Sequence, residues 1–240
     1  MNLQTLYNKA KPILEEDKLL NKYTYLAYHN ILEGRYLSVN DLPNLDTKLA
    51  SYIAEHSKVI IFPSYVNGEI LSMVVRPMVT TGVPLTVGSS NLPFYIGNIR
   101  KDFKYGDPII LVEGIGDVGG LKLIYPELDI IPLNSSSLAK HHYEVIASLT
   151  HNVILIPDND KVGKSNAYKM KKEFAKYDIS LQVVPQLNNF KDTGEVVDLL
   201  IKYSKNKNQH TKEQINIFKL YYTAALSTVI NKLKVRQSNE

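Results

Sequence analysis

An α/β fold with a mainly parallel sheet is predicted by three features of this 240-residue sequence. From Pro108 onward, short apolar runs alternate with longer helical patterns, which is typical of parallel strands joined by helices. Before that point, two β-rich runs flank Asn67-Gly68, the strongest short signal for a hairpin. After about residue 206, a single amphipathic pattern runs towards the C-terminus. The sequence therefore predicts a small α+β part, a parallel α/β part and a terminal helix.

The first part, residues 1–106, is expected to form the smaller α+β subdomain. Up to about Ser57, the apolar spacing indicates helices, interrupted by the turn residues Asp41-Leu42-Pro43-Asn44. A hairpin is predicted over 58–76, on either side of Asn67-Gly68. Residues 80–106 are rich in Gly, Pro and Ser, and they predict an irregular connection.

Residues 107–205 are expected to form the parallel domain. Its strands are predicted from short apolar runs at 108–113, 128–133, 152–157 and 180–184. Its helices are predicted from apolar periodicity at about 117–124, 138–149, 163–176 and 195–204. Residues 206–240 are expected to form the terminal helix, with apolar residues at helical spacing over 211–235. This helix either closes the core or docks a replication partner.

Composition limits the classes of protein to which the chain can belong. Hydrophobic residues make up 44% and charged residues 22%, which are ordinary values for a globular protein. No apolar run approaches the roughly 18 residues of a membrane span, and the N-terminus lacks a signal-peptide pattern. We therefore expect a cytoplasmic protein without a membrane partner. Cysteine is absent, so neither disulfides nor a Cys-based zinc site can form.

Acidic side chains follow three of the four predicted strands. Glu113 ends the first strand with Asp117 four residues on, Asp158 and Asp160 follow the third strand, and Asp192 follows the last. Because the carboxyl ends of parallel strands meet at one edge of a sheet, we expect these acids to converge. Such a cluster repels itself unless cations neutralise it. Oxygen ligands completed by substrate phosphates are the usual site of Mg²⁺, so the pattern predicts metal-dependent phosphate chemistry.

Two other interpretations of these residues are possible. The glycines of IILVEGIGDVGGL, residues 109–121, also fit the G-x-G-x-x-G pattern of a dinucleotide-binding turn. That turn needs an acid at the end of the second strand, where Asn134 stands, and Glu113 and Asp117 would repel a pyrophosphate. A dinucleotide site is therefore disfavoured. Any single acid could instead cap a helix or a turn, so the prediction depends on the whole set.

The motif E-G-x-x-D at Glu113, Gly114 and Asp117, followed by the strand-end D-x-D of Asp158 and Asp160, resembles the Toprim domain. That domain is shared by DnaG-type primases, topoisomerases, OLD-type nucleases and RecR-like proteins, and the resemblance covers about residues 107–202. Five further segments resemble bacterial and phage DnaG-type primases: VIIFPSYVNGEILSMVVRPM with its Arg76, SSNLPFYIGN, IPLNSSSLAKHHYEVI, IPDNDKVGKSNAYKM and KDTGEVVDLL. The implied fold is a Toprim-type, mainly parallel sheet flanked by helices, preceded by a smaller α+β subdomain with a β-hairpin and followed by a C-terminal helix.

The resemblance implies a primase-type nucleotidyltransferase that makes short RNA primers on single-stranded DNA in phage or plasmid replication. Glu113, Asp158 and Asp160 would be catalytic, and the same three with Asp117 and Asp192 would hold Mg²⁺ or Mn²⁺. The residues that would bind nucleotide or nucleic acid are basic: Arg76, Arg100, Lys101, Lys161, Lys164 and Lys191. The expected partners are the single-stranded DNA template and NTPs, with a replicative helicase or a template-recognition protein as further candidates.

Departures from the primase pattern leave two other functions open. The family's lysine-aspartate motif usually carries a second acid two residues after the first, and Gly194 occupies that position here, with Glu195 beside it as a candidate substitute. The zinc-binding domain that normally precedes the core is expected to be missing, in keeping with the absence of cysteine. The alternatives are a Toprim-family nuclease and a non-catalytic, nucleic-acid-binding replication accessory protein.

Overall fold

The computed structural model describes most of the chain, and its described residues are 2–38, 40, 47–66, 69–79, 82–88, 99–100, 102–134 and 138–237. Two compact units divide the chain, Met1–Gly97 and Asn98–Glu240. The predicted turns at Asp41-Leu42-Pro43-Asn44 and at Asn67-Gly68, and the primase-like segment SSNLPFYIGN, lie outside the described residues.

The first unit is built on an antiparallel sheet whose four strands pair in chain order. The strands are β1 (Arg35–Ser38), β2 (Lys58–Val66), β3 (Glu69–Pro77) and β4 (Leu85–Gly88). The helices are α1 (Leu3–Lys9), α2 (Lys22–Tyr28) and α3 (Thr47–His56), with a short 3-10 helix at Glu15–Asp17. Val66 pairs with Glu69 across β2 and β3, so only two residues connect these strands. The hairpin predicted over 58–76 is therefore confirmed.

Strands β1 and β4 correct the prediction for this unit. β1 lies in the stretch for which only helices are predicted, and β4 lies in the connection predicted to be irregular. Neither Arg35–Ser38 nor Leu85–Gly88 is a continuous apolar run, and neither lies in the alternation of strands and helices that identifies the strands after Pro108. They form because β2 and β3 offer free edges, where Leu37 pairs with Val59 and Thr86 pairs with Val74.

One face of the antiparallel sheet carries the core of the first unit. Val59 and Ile61 alternate along β2 and are completely buried. Leu6 from α1, together with Leu49 and Ile53 from α3, packs in the same apolar cluster. The two helices thus cover the face that would otherwise expose this apolar surface to water.

The second unit is built on a parallel sheet of four strands in the order β6-β5-β7-β8. Strands and helices alternate along the chain as β5 (Ile109–Val112), α4 (Ile115–Lys122), β6 (Asp129–Pro132), α5 (Lys140–Leu149), β7 (Asn152–Ile156), α6 (Lys161–Ala175), β8 (Ser180–Val183) and α7 (Glu195–Asn206). The strands and helices predicted over 107–205 are confirmed to within a few residues. β5, β6 and β7 are buried along their whole length, and apart from Asp129 and Asn152, which begin β6 and β7, their residues are apolar.

The terminal helix α8 (Gln209–Gln237) packs along α7 and closes the core of the second unit. Ile215, Phe218 and Tyr222 are buried along one side of it, at the spacing of three and four residues that the sequence shows. The Tyr222 hydroxyl also bonds to Gln186, so α8 supports the loop that follows β8. Within the described part of the chain, no helix combines the length and apolarity needed to cross a bilayer.

Candidate active site

Four carboxylates gather at the carboxyl edge of the parallel sheet. Glu113 follows β5, Asp158 and Asp160 follow β7, and Asp192 lies in the loop before α7. The backbone N–H of Asp158 donates to the Glu113 carboxylate at 3.1 Å, which joins the ends of the two central strands. Asp160 and Asp192 are both close enough to Glu113 to raise its pKa by repulsion. The structure therefore brings these four predicted acids together.

The loops that carry the acids are tied to one another through their backbones. The N–H of Asn159 donates to the carbonyl of Lys191 at 2.8 Å, which fixes the loop after β7 against the loop before α7. Asp192 accepts the N–H of Glu195 at 3.0 Å, and Glu195 in turn accepts the N–H of Lys191 at 2.9 Å. Glu195 thus uses its carboxylate to hold the backbone of the loop before α7, which is a structural use of the residue that the sequence marked as a candidate substitute for the missing acid.

The first turn of α6 lies directly against the acids. Asp160 caps this helix, because its carboxylate accepts the N–H of Gly163 at 2.7 Å. A Cβ atom at position 163 would collide with the Asp158 carbonyl and would lie 2.8 Å from a carboxylate oxygen of Glu113. Only glycine permits this approach of helix to strand end. Lys161 and Lys164 project from the same turn and are exposed.

Burial and mutual repulsion raise the pKa of two of these carboxylates. Burial raises the pKa of Asp158, the negative charges of Asp117, Glu113 and Asp192 add to the effect, and the value reaches about 8. Burial also raises the pKa of Glu113, although the hydrogen bond from the Asp158 N–H opposes it. Lys191 partly offsets the repulsion at both groups. The edge therefore holds more negative charge than its surroundings compensate.

The donors at this edge fit a hard divalent cation. Carboxylate oxygens are the ligands that Mg²⁺ prefers, and a cation would relieve the repulsion that raises the pKa of Asp158. Among the described residues, no three His, Asp or Glu side chains form a ready-made metal site. Mg²⁺ usually takes one or two carboxylates and completes its shell with water and substrate phosphates.

Asp117 has surroundings unlike those of the other acids. It is only 7% exposed, and one carboxylate oxygen accepts the N–H of Gly114 at 2.9 Å. The other oxygen accepts the N–H of Gly194 at 2.9 Å and the hydroxyl of Thr193 at 3.2 Å. Asp117 therefore joins the start of α4 to the loop before α7. Sequence reasoning missed Thr193, and it saw Gly194 only as a lost acid, because nothing local marks a partner 76 residues away.

Three of the predicted basic residues lie beside the acids. Lys191 directly precedes Asp192, and its charge lowers the pKa of both Glu113 and Asp158. Lys161 and Lys164 lie on the first turn of α6, next to the capping Asp160. Their ammonium groups are therefore available to an anion that approaches the carboxyl edge.

Arg100, another of the predicted basic residues, lies away from the acids. Its Nε bonds to Asp129 at 2.9 Å, and its Nη2 bonds to Asp107 at 3.2 Å. Asp129 is the first residue of β6, so Arg100 lies at the amino edge of the sheet, opposite to the acids. Its guanidinium is thus paired with two carboxylates, and the structure does not bring Arg100 together with the acids of the carboxyl edge.

Arg76 belongs to the first unit, and Lys101 lies outside the described residues. Arg76 is half-buried on β3, with its guanidinium 4.9 Å from the centre of the Tyr23 ring. Its Nε is buried and has no hydrogen-bond partner in the described part of the chain. A half-buried cation with an unused donor is suited to binding an anion.

No protein-family model and no curated protein matches this sequence. Among solved structures, the chain is similar to a DnaG primase catalytic domain bound to single-stranded DNA, with a TM-score of 0.59 and 17% identity over 88% of this chain and 76% of that one. It is also similar to the catalytic core of the E. coli primase, with a TM-score of 0.55 and 13% identity over 99% of this chain and 89% of that one.

The chain is also similar to part of a longer structure, that of the Aquifex aeolicus primase with its zinc-binding and RNA polymerase domains. The TM-score is 0.56 with 12% identity, and the match covers 85% of this chain but 58% of the longer one. At sequence identities this low, the comparison shows only that the folds are similar. The chain therefore has the fold seen in the catalytic cores of DnaG-type primases.

Proposed function

We propose that this protein is a Toprim-type primase, a nucleotidyltransferase that makes short RNA primers on single-stranded DNA with Mg²⁺ or Mn²⁺. The observation that carries the proposal is the cluster of Glu113, Asp158, Asp160 and Asp192 at the carboxyl edge of the sheet, with a pKa near 8 at Asp158. A half-buried group of like charges opposes folding, so its presence favours a functional explanation. The setting that we propose is phage or plasmid DNA replication.

The reaction joins the 3′-hydroxyl of a growing RNA strand to the α-phosphorus of an incoming NTP. The bond from this oxygen to phosphorus forms, the bond from phosphorus to the bridging oxygen breaks, and pyrophosphate leaves. Glu113 accepts the hydroxyl proton, for which its raised pKa makes it a better base than an ordinary glutamate. Lys161, Lys164 and Lys191 bind the triphosphate oxygens, close to the N-terminus of α6.

Asp158 and Asp160 would hold the divalent cation, with Glu113 and Asp192 at the same edge of the sheet. When bound, Mg²⁺ or Mn²⁺ neutralises phosphate charge and lowers the pKa of the attacking hydroxyl. Asp117 would support this arrangement indirectly, because both of its oxygens are engaged by protein donors. Arg76 would bind phosphates of the template or the nucleotide.

A Toprim-type nuclease is the second candidate, because the same carboxylates could direct water at a phosphodiester. The strand-turn-strand segment that ends near Arg76 favours the primase, since this segment precedes the acids in the primase pattern. A non-catalytic nucleic-acid binder is the third candidate. It is favoured by Gly194, whose N–H serves the fold where the primase pattern has an acid.

One experiment separates these functions. The protein is incubated with single-stranded DNA, labelled NTPs and Mg²⁺ or Mn²⁺, alongside the Asp158→Ala variant and a control in which Glu213, an exposed acid on α8, is replaced by Ala. Labelled oligomers that disappear only in Asp158→Ala support priming. Shortened DNA supports the nuclease. Neither product, with DNA binding retained, would contradict both enzymes and leave the non-catalytic binder.

A further inference from the structure

We propose that the exposed face of α6 binds the phosphate backbone of a nucleic acid strand. This surface, which we call the lysine face, consists of Lys161, Lys164, Tyr168, Lys169, Lys171 and Lys172. The inference rests on the proposed function only for the identity of the strand, a DNA template or an RNA product. The chemistry of recognition, cations against phosphates with an aromatic ring among them, is the same for both.

Positive charge is dense on this helix. Residues 161–176 contain six lysines and one acid, Glu173, so their formal charge is +5. The whole chain has a formal charge of +4, so the remaining residues together carry −1. Glu173 is paired with Lys176 at 2.7 Å. Within the described residues, the five lysines of the lysine face have no ion-pair partner, so their charge is available to a polyanion.

The geometry of α6 leaves these lysines on its exposed surface. The buried residues of the helix are Gly163, Ala167, Met170 and Phe174, and every lysine is exposed on the rest of the helix surface. From Lys161 to Lys172 the face is about 16 Å long, because an α-helix rises about 1.5 Å per residue. That length matches about five phosphates at the 3.4 Å rise of a duplex strand. Like charges three and four residues apart destabilise a helix, and a bound polyanion would remove this repulsion.

Tyr168 adds a second feature suited to nucleic acid. Its side chain is 63% exposed in the middle of the lysine face, with the Lys172 ammonium 4.6 Å from its ring centre. Exposed aromatic rings among cations are the usual platform on which bases of a single strand stack. The face also begins at the residue after Asp160, where α6 packs against Glu113. A strand bound along α6 would therefore lead directly to the carboxylates.

The test measures binding of the full-length chain to labelled oligo-dT and oligo-rU of equal length, by fluorescence anisotropy in EDTA over a range of KCl. The variant replaces Lys169, Lys171 and Lys172 by Gln, and a matched control replaces three exposed lysines of α7 and α8, Lys205, Lys212 and Lys219. Both variants lose the same charge, and neither touches the residues proposed to bind NTPs. Circular dichroism checks that both remain folded.

We expect the lysine-face variant to bind at least tenfold more weakly than wild type at equal salt, and the control less than threefold more weakly. The slope of log affinity against log salt should fall by about 2 in the lysine-face variant, because each phosphate contact to a single strand contributes about 0.7. Tyr168→Ala should weaken binding several-fold without changing the slope, since stacking releases no counterions. The oligonucleotide that binds more tightly identifies the strand as template or product.

Equal losses in the two triple variants would overturn the inference, because net charge alone would then explain binding. An unchanged salt slope in the lysine-face variant would overturn it as well. Asp158→Ala should keep wild-type affinity and slope in EDTA, so binding is measured independently of catalysis. A protein that makes no primers but binds through the lysine face contradicts only the proposed function. An active enzyme whose lysine-face variant binds normally contradicts only this inference.

Discussion

Asp158 is the carboxylate whose surroundings most disfavour its charge, and this has a consequence for stability. An aspartate in an unfolded chain titrates near pH 3.9, whereas burial and neighbouring acids raise the pKa of Asp158 to about 8 in the folded protein. The folded state therefore binds this proton more tightly than the unfolded state. The resulting contribution to stability is fully present below pH 4 and is lost as the pH rises through about 8.

Asp158→Asn should remove this pH dependence, because the amide is neutral throughout. Without metal, we expect the variant to exceed wild type in unfolding free energy at pH 8 by about 1–2 kcal/mol, and the gain to shrink towards pH 5. Urea denaturation in EDTA at several pH values measures the difference. Glu213→Gln, at an exposed acid, should show no such trend. A gain that does not vary with pH would contradict the assignment of the charge to Asp158.

Thr193 and Asp117 are in buried contact, so we expect the effects of their mutations on the unfolding free energy to be non-additive. The Thr193 hydroxyl is fully buried and donates to Asp117 at 3.2 Å, so Thr193→Val should cost about 1–3 kcal/mol of unfolding free energy. Thr193→Ser, which keeps the hydroxyl, should cost less. In an Asp117→Asn background, the cost of Thr193→Val should fall by more than 0.5 kcal/mol, as contacting residues are not additive. Additive costs would show that the hydroxyl does not act through the Asp117 carboxylate, since its bond to the Asp117 carbonyl is unchanged in Asp117→Asn.

At the scale of elements, the packing of α8 can be tested by comparing a buried residue with an exposed neighbour. Phe218 is fully buried, with ring contacts to Phe190 and Tyr222, whereas its neighbour Ile217 is 54% exposed. Phe218→Ala should cost about 3–5 kcal/mol of unfolding free energy and Ile217→Ala no more than about 0.5 kcal/mol. Thermal and urea unfolding of the two variants measure this contrast. Equal small losses would mean that α8 does not close the core.

The elements of the second unit could be predicted because their signals are local. Strands buried on both faces appear as short apolar runs, and helices appear as a period of three to four residues. β1 and β4 could not be predicted, because neither is a continuous apolar run and both depend on the edges of β2 and β3. Helices and strands could therefore be predicted from the sequence where burial produces a recognisable apolar pattern.

The candidate site was predictable to the extent that it follows from topology. Parallel strands place their ends at one edge, so the convergence of Glu113, Asp158 and Asp192 could be expected from their positions alone. The pairing of Arg100 with Asp129 and the bond from Thr193 to Asp117 could not, because each joins residues distant in sequence. Such contacts depend on how distant segments of the chain pack together, and neither amino-acid composition nor the spacing of residues shows this.

In the whole molecule, the distribution of charge and the fold both fit the proposed function. Carboxylates collect at the edge where catalysis is proposed, and lysines collect on the helix that begins there. A cation at the acids and a polyanion along the lysines would neutralise both clusters together. A primer-synthesising enzyme needs both, because it must hold triphosphate and a nucleic acid strand beside one set of metal ligands.

Template-dependent RNA synthesis is the most direct measurement of the central claim. Purified wild-type protein is given a long single-stranded DNA circle of mixed sequence, the four NTPs with one labelled, and Mg²⁺ or Mn²⁺. We predict short labelled RNA that requires both the DNA and the cation, and that falls at least a hundredfold in Asp158→Ala, a loss of about 2.7 kcal/mol in transition-state stabilisation. Folded wild-type protein that binds the DNA and yields no labelled RNA with either cation would contradict the claim.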